Sequence, residues 1–183
     1  MKLELIAAGY VAGCSVCEKP FLRRNTLHTA CSPRCAMKSV RTQRKAERAD
    51  FKRRQEAAKP RSQWLKEAQA AFNTWIRARD AHLGCISCGT HSGKRNAGHY
   101  LSTGARPELR FDEANVHLQC ERCNTYLHGN LISYRLALIE RIGLATVERL
   151  EGLHATRKYT AADLRAIRDD YRARALTLKG EGN

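Results

Sequence analysis

The sequence predicts an α+β protein that is mainly helical, and three observations carry that reading. Eight cysteines fall into four short knuckles, Cys14-x2-Cys17, Cys31-x3-Cys35, Cys85-x2-Cys88 and Cys120-x2-Cys123, which pair into two sets of four thiols. Apolar residues recur at the three- and four-residue steps of a helix both before Gly84 and after Cys123. Between those stretches Gly89, Gly93, Gly98, Gly104 and Pro107 break the chain into short loop-like and strand-like pieces.

The length of 183 residues allows one or two domains. Lys and Arg number 33 against 18 Asp and Glu, a formal charge of +15, which attracts polyanions and makes nucleic acid the first partner to expect. No run approaches the roughly 20 apolar residues of a membrane span. Residues 1–13 are too short for an export signal and offer only Lys2 as a basic start, so a soluble, cytoplasmic protein is expected. In a reducing compartment eight cysteines are better explained by metal than by disulfides. Four thiolates satisfy a tetrahedral Zn²⁺ and leave no position open for water, which predicts two structural zinc sites: Cys14, Cys17, Cys31 and Cys35, then Cys85, Cys88, Cys120 and Cys123.

Taken in order, residues 1–37 form a small N-terminal four-cysteine zinc knuckle with 13 residues between Cys17 and Cys31, too few to bury a core without the metal. Residues 38–61 are a basic helical linker with ten Lys or Arg and Phe51 as its one large aromatic. Arg41, Arg44, Lys45, Arg48, Arg53 and Arg54 are its candidate DNA-binding residues, giving sequence-independent phosphate contact. Pro60 should stop it, since proline lacks a backbone donor and disfavours helix just before itself. Residues 62–179 form the third region. Ser62 is placed to cap a helix whose apolar face comprises Trp64, Leu65, Ala68, Phe72, Trp75 and Ile76, ending near Gly84. Three further helices are predicted at 131–142, 146–153 and 161–178, the last opened by a Thr160/Asp163 capping box. Their apolar residues, Leu131, Tyr134, Leu138, Ile142, Leu164, Ile167 and Tyr171 among them, are core or dimer contacts.

The second cysteine set encloses 31 residues, longer than the interval of a plain zinc ribbon, so something is built inside it. There sit His99, in Asn96-Ala97-Gly98-His99-Tyr100, and Asn115, with Asn124 directly after Cys123. This order of His, Asn and Asn beside a closing Cys-x2-Cys resembles the ββα-metal, or HNH, nuclease motif. The resemblance implies a ββα-metal core flanked by helices. In it His99 is the general base, Asn115 hydrogen-bonds and orients the imidazole, and Asn124, on the following helix, ligates Mg²⁺ or Mn²⁺. Gly98 stands where such enzymes often carry a second metal ligand, which Asn96, Asp112, Glu113 or only water and phosphate could replace.

A longer match covers about 14–178. Cys85-Ile86-Ser87-Cys88-Gly89-Thr90, Ala97-Gly98-His99-Tyr100, Leu109-Arg110-Phe111, Asn115-x-His117-x-Gln119-Cys120-x2-Cys123-Asn124 and Gly129-Asn130-Leu131 resemble the NinG/Rap recombination endonucleases of lambdoid phages. Upstream, Cys31-Ser32-Pro33-Arg34-Cys35 and Lys59-Pro60-Arg61-Ser62 agree. The resemblance implies a metal-dependent, structure-selective endodeoxyribonuclease that cuts branched intermediates such as Holliday junctions and D-loops. A homodimer suited to a two-fold symmetric junction follows, with host or phage recombination proteins as possible partners. Two other readings stand beside it. A non-catalytic zinc protein binding DNA or RNA explains the charge and cysteines but not the long insert. An HNH nuclease on ordinary duplex differs only in substrate.

Overall fold

The computed structural model describes residues 11–180 and divides into two compact units, 1–59 and 60–183. Residues 1–10, which make up most of the segment read for an export signal, lie outside the described residues. The observed class is α+β and mainly helical, with two two-stranded sheets among the described residues. Among the described residues no helix is long and apolar enough to cross a membrane.

In the first unit β1 (Val11–Gly13) pairs antiparallel with β2 (Pro20–Leu22), Gly13 opposite Pro20, and the intervening turn carries Cys14 and Cys17. The turn closes through Cys14 N–H to Lys19 O at 2.9 Å and Glu18 N–H to Cys14 O at 2.9 Å. Helix α1 (Pro33–Ala57) opens on Ser32, whose side chain accepts from Cys35 N–H at 3.3 Å, with Pro33 at the first helical position where its missing N–H costs nothing. Cys35 is thus inside the first turn of the basic helix, so α1 grows directly out of the cysteine cluster. None of its residues is buried.

In the second unit α2 (Arg61–Arg79) packs along α5 (Ala161–Gly180). Phe72, Trp75, Ile76, Tyr171 and Ala175 bury one patch between them, and Trp64, Ala68, Tyr159 and Leu164 a second. Ser62 does not cap α2, as the sequence had suggested; Pro60 occupies the N-cap with extended backbone, and its carbonyl accepts from Gln63 and Trp64 N–H. Arg61 Nε donates to Tyr159 O at 2.7 Å and anchors that end to the segment before α5. The helix also stops at Arg79, short of Gly84. Asp80, only 3% exposed, turns inward to accept from Leu118 N–H at 3.0 Å and from the Arg79 guanidinium at 2.7 and 2.9 Å.

Strand β3 (Arg95–His99) pairs antiparallel with β4 (Val116–Cys120), Gly98 opposite His117 and His99 opposite Val116. One face of this hairpin meets α2. After β4 the chain makes a single π-helical turn, Arg122–Tyr126, so Asn124 lies on that turn and not on a regular α-helix. Positive φ at His128, Gly129 and Asn130 then redirects the backbone into α3 (Leu131–Ile142), followed by α4 (Leu144–Glu151). Tyr134, Leu138, Val147 and Leu150 of these helices bury Ile86, Tyr100 and Leu109. The Thr160/Asp163 capping box forms as read: Thr160 N–H donates to Asp163 Oδ2 at 2.8 Å and Asp163 N–H to Thr160 Oγ1 at 3.2 Å.

Candidate functional site

The eight cysteines gather into the two predicted sets, with all four sulfurs of each set within 4.8 Å of one another. Around a zinc ion bonded at about 2.3 Å, tetrahedral geometry sets a sulfur–sulfur edge of about 3.8 Å. The separations Cys17–Cys31, Cys31–Cys35 and Cys88–Cys120 are 3.5, 3.7 and 3.8 Å. Amide donors already face the sulfurs: Cys31 N–H to Cys14 Sγ at 3.4 Å, Cys123 N–H to Cys120 Sγ at 3.4 Å, and Asn130 Nδ2 to Cys123 Sγ at 3.6 Å. Backbone N–H groups of Cys31, Cys17 and Val16 push the Cys14 thiol down to about 6, whereas the side chains of Cys17 and Cys14 push Cys31 up to about 12. Four crowded thiols ionise together only around a cation, so both clusters fit Zn²⁺ in chemistry as well as in spacing.

His99 ends β3. Its Nε2–H donates to Arg110 O at 3.1 Å; since a carbonyl only accepts, that bond fixes the proton on Nε2 and leaves the lone pair on Nδ1. Burial pulls the His99 pKa below its ordinary value, so the ring is neutral at pH 7.

Asn115 does not touch that ring. Fully buried, it accepts from Leu101 N–H at 2.9 Å through Oδ1 and donates to Leu101 O at 3.0 Å and Leu109 O at 3.3 Å through Nδ2. The expected hydrogen bond to His99 is therefore replaced by a clamp on the 101–109 loop, directly before the Arg110 carbonyl that holds the imidazole.

Asn124 stands over Gly98: its Oδ1 is 3.0 Å from where a β-carbon of residue 98 would lie. Tyr134 Oη donates to Gly98 O at 3.0 Å and fixes that point of the strand. Asn96 lies two residues earlier on β3, opposite Gln119. Asp112 and Glu113 are engaged elsewhere, Asp112 with Arg149 at 3.0 Å and Glu113 with Arg174 at 2.6 Å. The hairpin's support includes residues the sequence reading passed over. His117, paired with Gly98, donates from Nε2 to Ala114 O at 3.2 Å and receives Arg79 at Nδ1 at 3.1 Å, with the Asp80 carboxylate 3.7 Å away. Only His117 lay in a motif that had been singled out; Arg79 and Asp80 join it through the fold. In the first unit Arg41, Arg44, Lys45 and Arg48 border a common concavity together with Ala36, Met37 and Val40 of the same helix, whereas Arg53 and Arg54 pair with Asp50.

A family model described as Bacteriophage Lambda NinG protein matches residues 10–181, which contain both cysteine clusters, the β3–β4 hairpin and the five helices of the described residues. This chain belongs to the NinG family. It is 44% identical over 169 residues to Protein ninG of Salmonella phage P22 and 42% identical over 169 residues to Protein ninG of Escherichia phage lambda, each alignment covering 81% of this chain and 83% of the relative. Protein ninG of Escherichia phage 933W is 48% identical over 130 residues, 70% of this chain and 65% of the relative. No solved structure matches. For this NinG-family chain the two clusters are sites that could bind zinc, and both lie within the matched residues.

Proposed function

We propose that this NinG-family chain is a metal-dependent endodeoxyribonuclease that hydrolyses phosphodiester bonds in branched recombination intermediates, Holliday junctions and D-loops, in the host-cell cytoplasm. The observation that carries the reading is a neutral His99 held with its Nδ1 lone pair free, one residue from the point where Asn124 Oδ1 faces Gly98. In the proposed reaction His99 Nδ1 takes a proton from water, the hydroxide attacks phosphorus in line, and the P–O3′ bond breaks. Arg110 O keeps the imidazole from rotating, and the Asn115 clamp holds the loop that presents that carbonyl. Asn124 Oδ1, a hard oxygen donor, fits Mg²⁺ or Mn²⁺, which when bound supplies charge stabilisation at the phosphate and the departing 3′ oxygen. Both four-cysteine sites are structural in this account, because four thiolates saturate zinc.

Sequence-independent contact from the α1 cations supports a substrate recognised by shape, and two cuts in a symmetric junction suit a homodimer. The test is incubation of zinc-loaded protein with labelled four-way junction and linear duplex of the same sequence, with Mg²⁺ or Mn²⁺ added or omitted. Omission is preferred to EDTA, which would also strip zinc. Cutting of the junction alone is expected. Equal cutting of duplex would make the protein a general nuclease, and tight junction binding without cutting would make it a binding protein.

A further inference from the structure

We propose that Gln119 supplies the second protein oxygen to the catalytic divalent cation, in the place that the side chain of residue 98 would otherwise fill; this rests on the nuclease reading above. Gln119 is fully buried on β4. Its Nε2 spends both hydrogens, on Ser87 Oγ at 2.7 Å and on Gly129 O at 2.7 Å, and those two acceptors fix which way the carboxamide faces. Oε1 must then point the other way, toward Gly98, and it has no hydrogen-bond partner. It lies 2.0 Å from the position a residue-98 β-carbon would take, and Asn124 Oδ1 lies 3.0 Å from the same point.

Two carboxamide oxygens therefore converge beside one glycine α-carbon. A buried carbonyl oxygen with no donor leaves its negative charge uncompensated, and a hard divalent cation that keeps several waters and takes substrate phosphate supplies the missing positive charge. The same geometry accounts for Gly98, because any side chain there would drive into the Gln119 carboxamide. A ligand carried by residue 98 and a ligand carried by Gln119 are thus alternatives, and this chain has the second. Asn96 lies two residues along the strand from Gly98, about 7 Å away at the α-carbon. Both donors being neutral, the charge that holds the cation comes largely from DNA phosphate, so the site fills when substrate is bound.

The test measures Mn²⁺ binding by electron paramagnetic resonance to zinc-loaded, full-length protein on a four-way junction, in a His99→Ala background so that the junction stays intact. Gln119→Met is expected to weaken Mn²⁺ binding at least tenfold with zinc content and metal-free junction affinity unchanged; melting falls, because Ser87 Oγ and Gly129 O lose the Gln119 donor, so the binding is measured below the variant's melting transition. A variant-free measurement stands beside it: the chain has five glutamines, and protein labelled with ¹³C at glutamine Cδ should show a hyperfine coupling to bound Mn²⁺ that a bridging water would not give. Unchanged Mn²⁺ affinity in a folded Gln119→Met variant, or no ¹³C coupling, overturns the assignment while leaving the nuclease reading intact. Protein that neither takes up Mn²⁺ on the junction nor cuts it with any divalent metal when His99 is restored overturns the nuclease reading itself.

Discussion

The carbonyl of Arg110 holds His99 by its Nε2–H at 3.1 Å, so the orientation of the candidate base is set by a loop and not by the strand that carries it. That loop is fixed from two directions. Asn115 binds its 101 and 109 carbonyls, and the Arg110 guanidinium reaches Gln69 Oε1 on α2 at 3.1 Å.

Asn115→Ala should therefore damage both stability and cleavage. It leaves the Leu101 N–H and the Leu101 carbonyl without their partner, a cost of about 1–3 kcal/mol per buried unsatisfied group, whereas the Leu109 carbonyl keeps Asp112 N–H at 3.1 Å. Chemical denaturation checks the first effect. Single-turnover cleavage at a temperature where the variant is folded checks the second; a normal rate there would detach the loop from the base.

The pH profile follows from the environment of His99. Burial disfavours its imidazolium, so the folded pKa lies below the ordinary value of about 6.5, and the base form persists to lower pH than for an exposed histidine. Cleavage should rise with pH, reach half its maximum below about 6.5, and be flat through pH 7. Single-turnover rates, with zinc content verified at each pH, test this; a midpoint above 7 would assign the ionisation to another group.

Zinc should account for the fold of the smaller pieces. Two ions per chain are expected from the two four-sulfur clusters. Cys120→Ser removes a buried ligand that closes β4, so it should release one ion and unfold the hairpin, since the metal supplies folding free energy there. Elemental analysis and thermal melting decide; a variant with two ions and an unchanged melt would show Cys120 to be no ligand.

Much of this was legible in the chain, and the misses share one cause. The cysteine knuckles, the capping box of Thr160 and Asp163 and the helices after Cys123 are local patterns, each fixed by residues a few positions apart. The start of α2 was missed because Pro60 can itself stand at an N-cap in extended backbone, which leaves Ser62 inside the helix. Its end was missed because Asp80 is drawn to Leu118, 38 residues away, a tertiary bond without local signature. His99 and Asn124 stood out by their order around the cysteines. Gln119 stood in the quoted motif without a role, and Asn115 was given the wrong partner, because spacing names the residue types near a site and not which atoms meet.

The α1 cations divide by their partners. Arg53 and Arg54 share Asp50, whereas Arg41, Arg44, Lys45 and Arg48 line a common concavity. Neutralising the latter four should make the log–log salt dependence of DNA binding shallower by about 0.9 per lost phosphate contact. Neutralising Arg53 and Arg54 should do less. Titrations across a salt series measure both, and an unchanged slope for the four would reduce α1 to a solvated helix.

The most direct test of the central claim is the cleavage rate of His99→Ala on a labelled four-way junction at saturating protein with Mg²⁺. Loss of a general base typically costs about 10²–10⁴-fold in rate. The account predicts a loss of that size with zinc content, melting and junction affinity nearly unchanged. A His99→Ala protein that cuts at the unaltered rate would contradict the account.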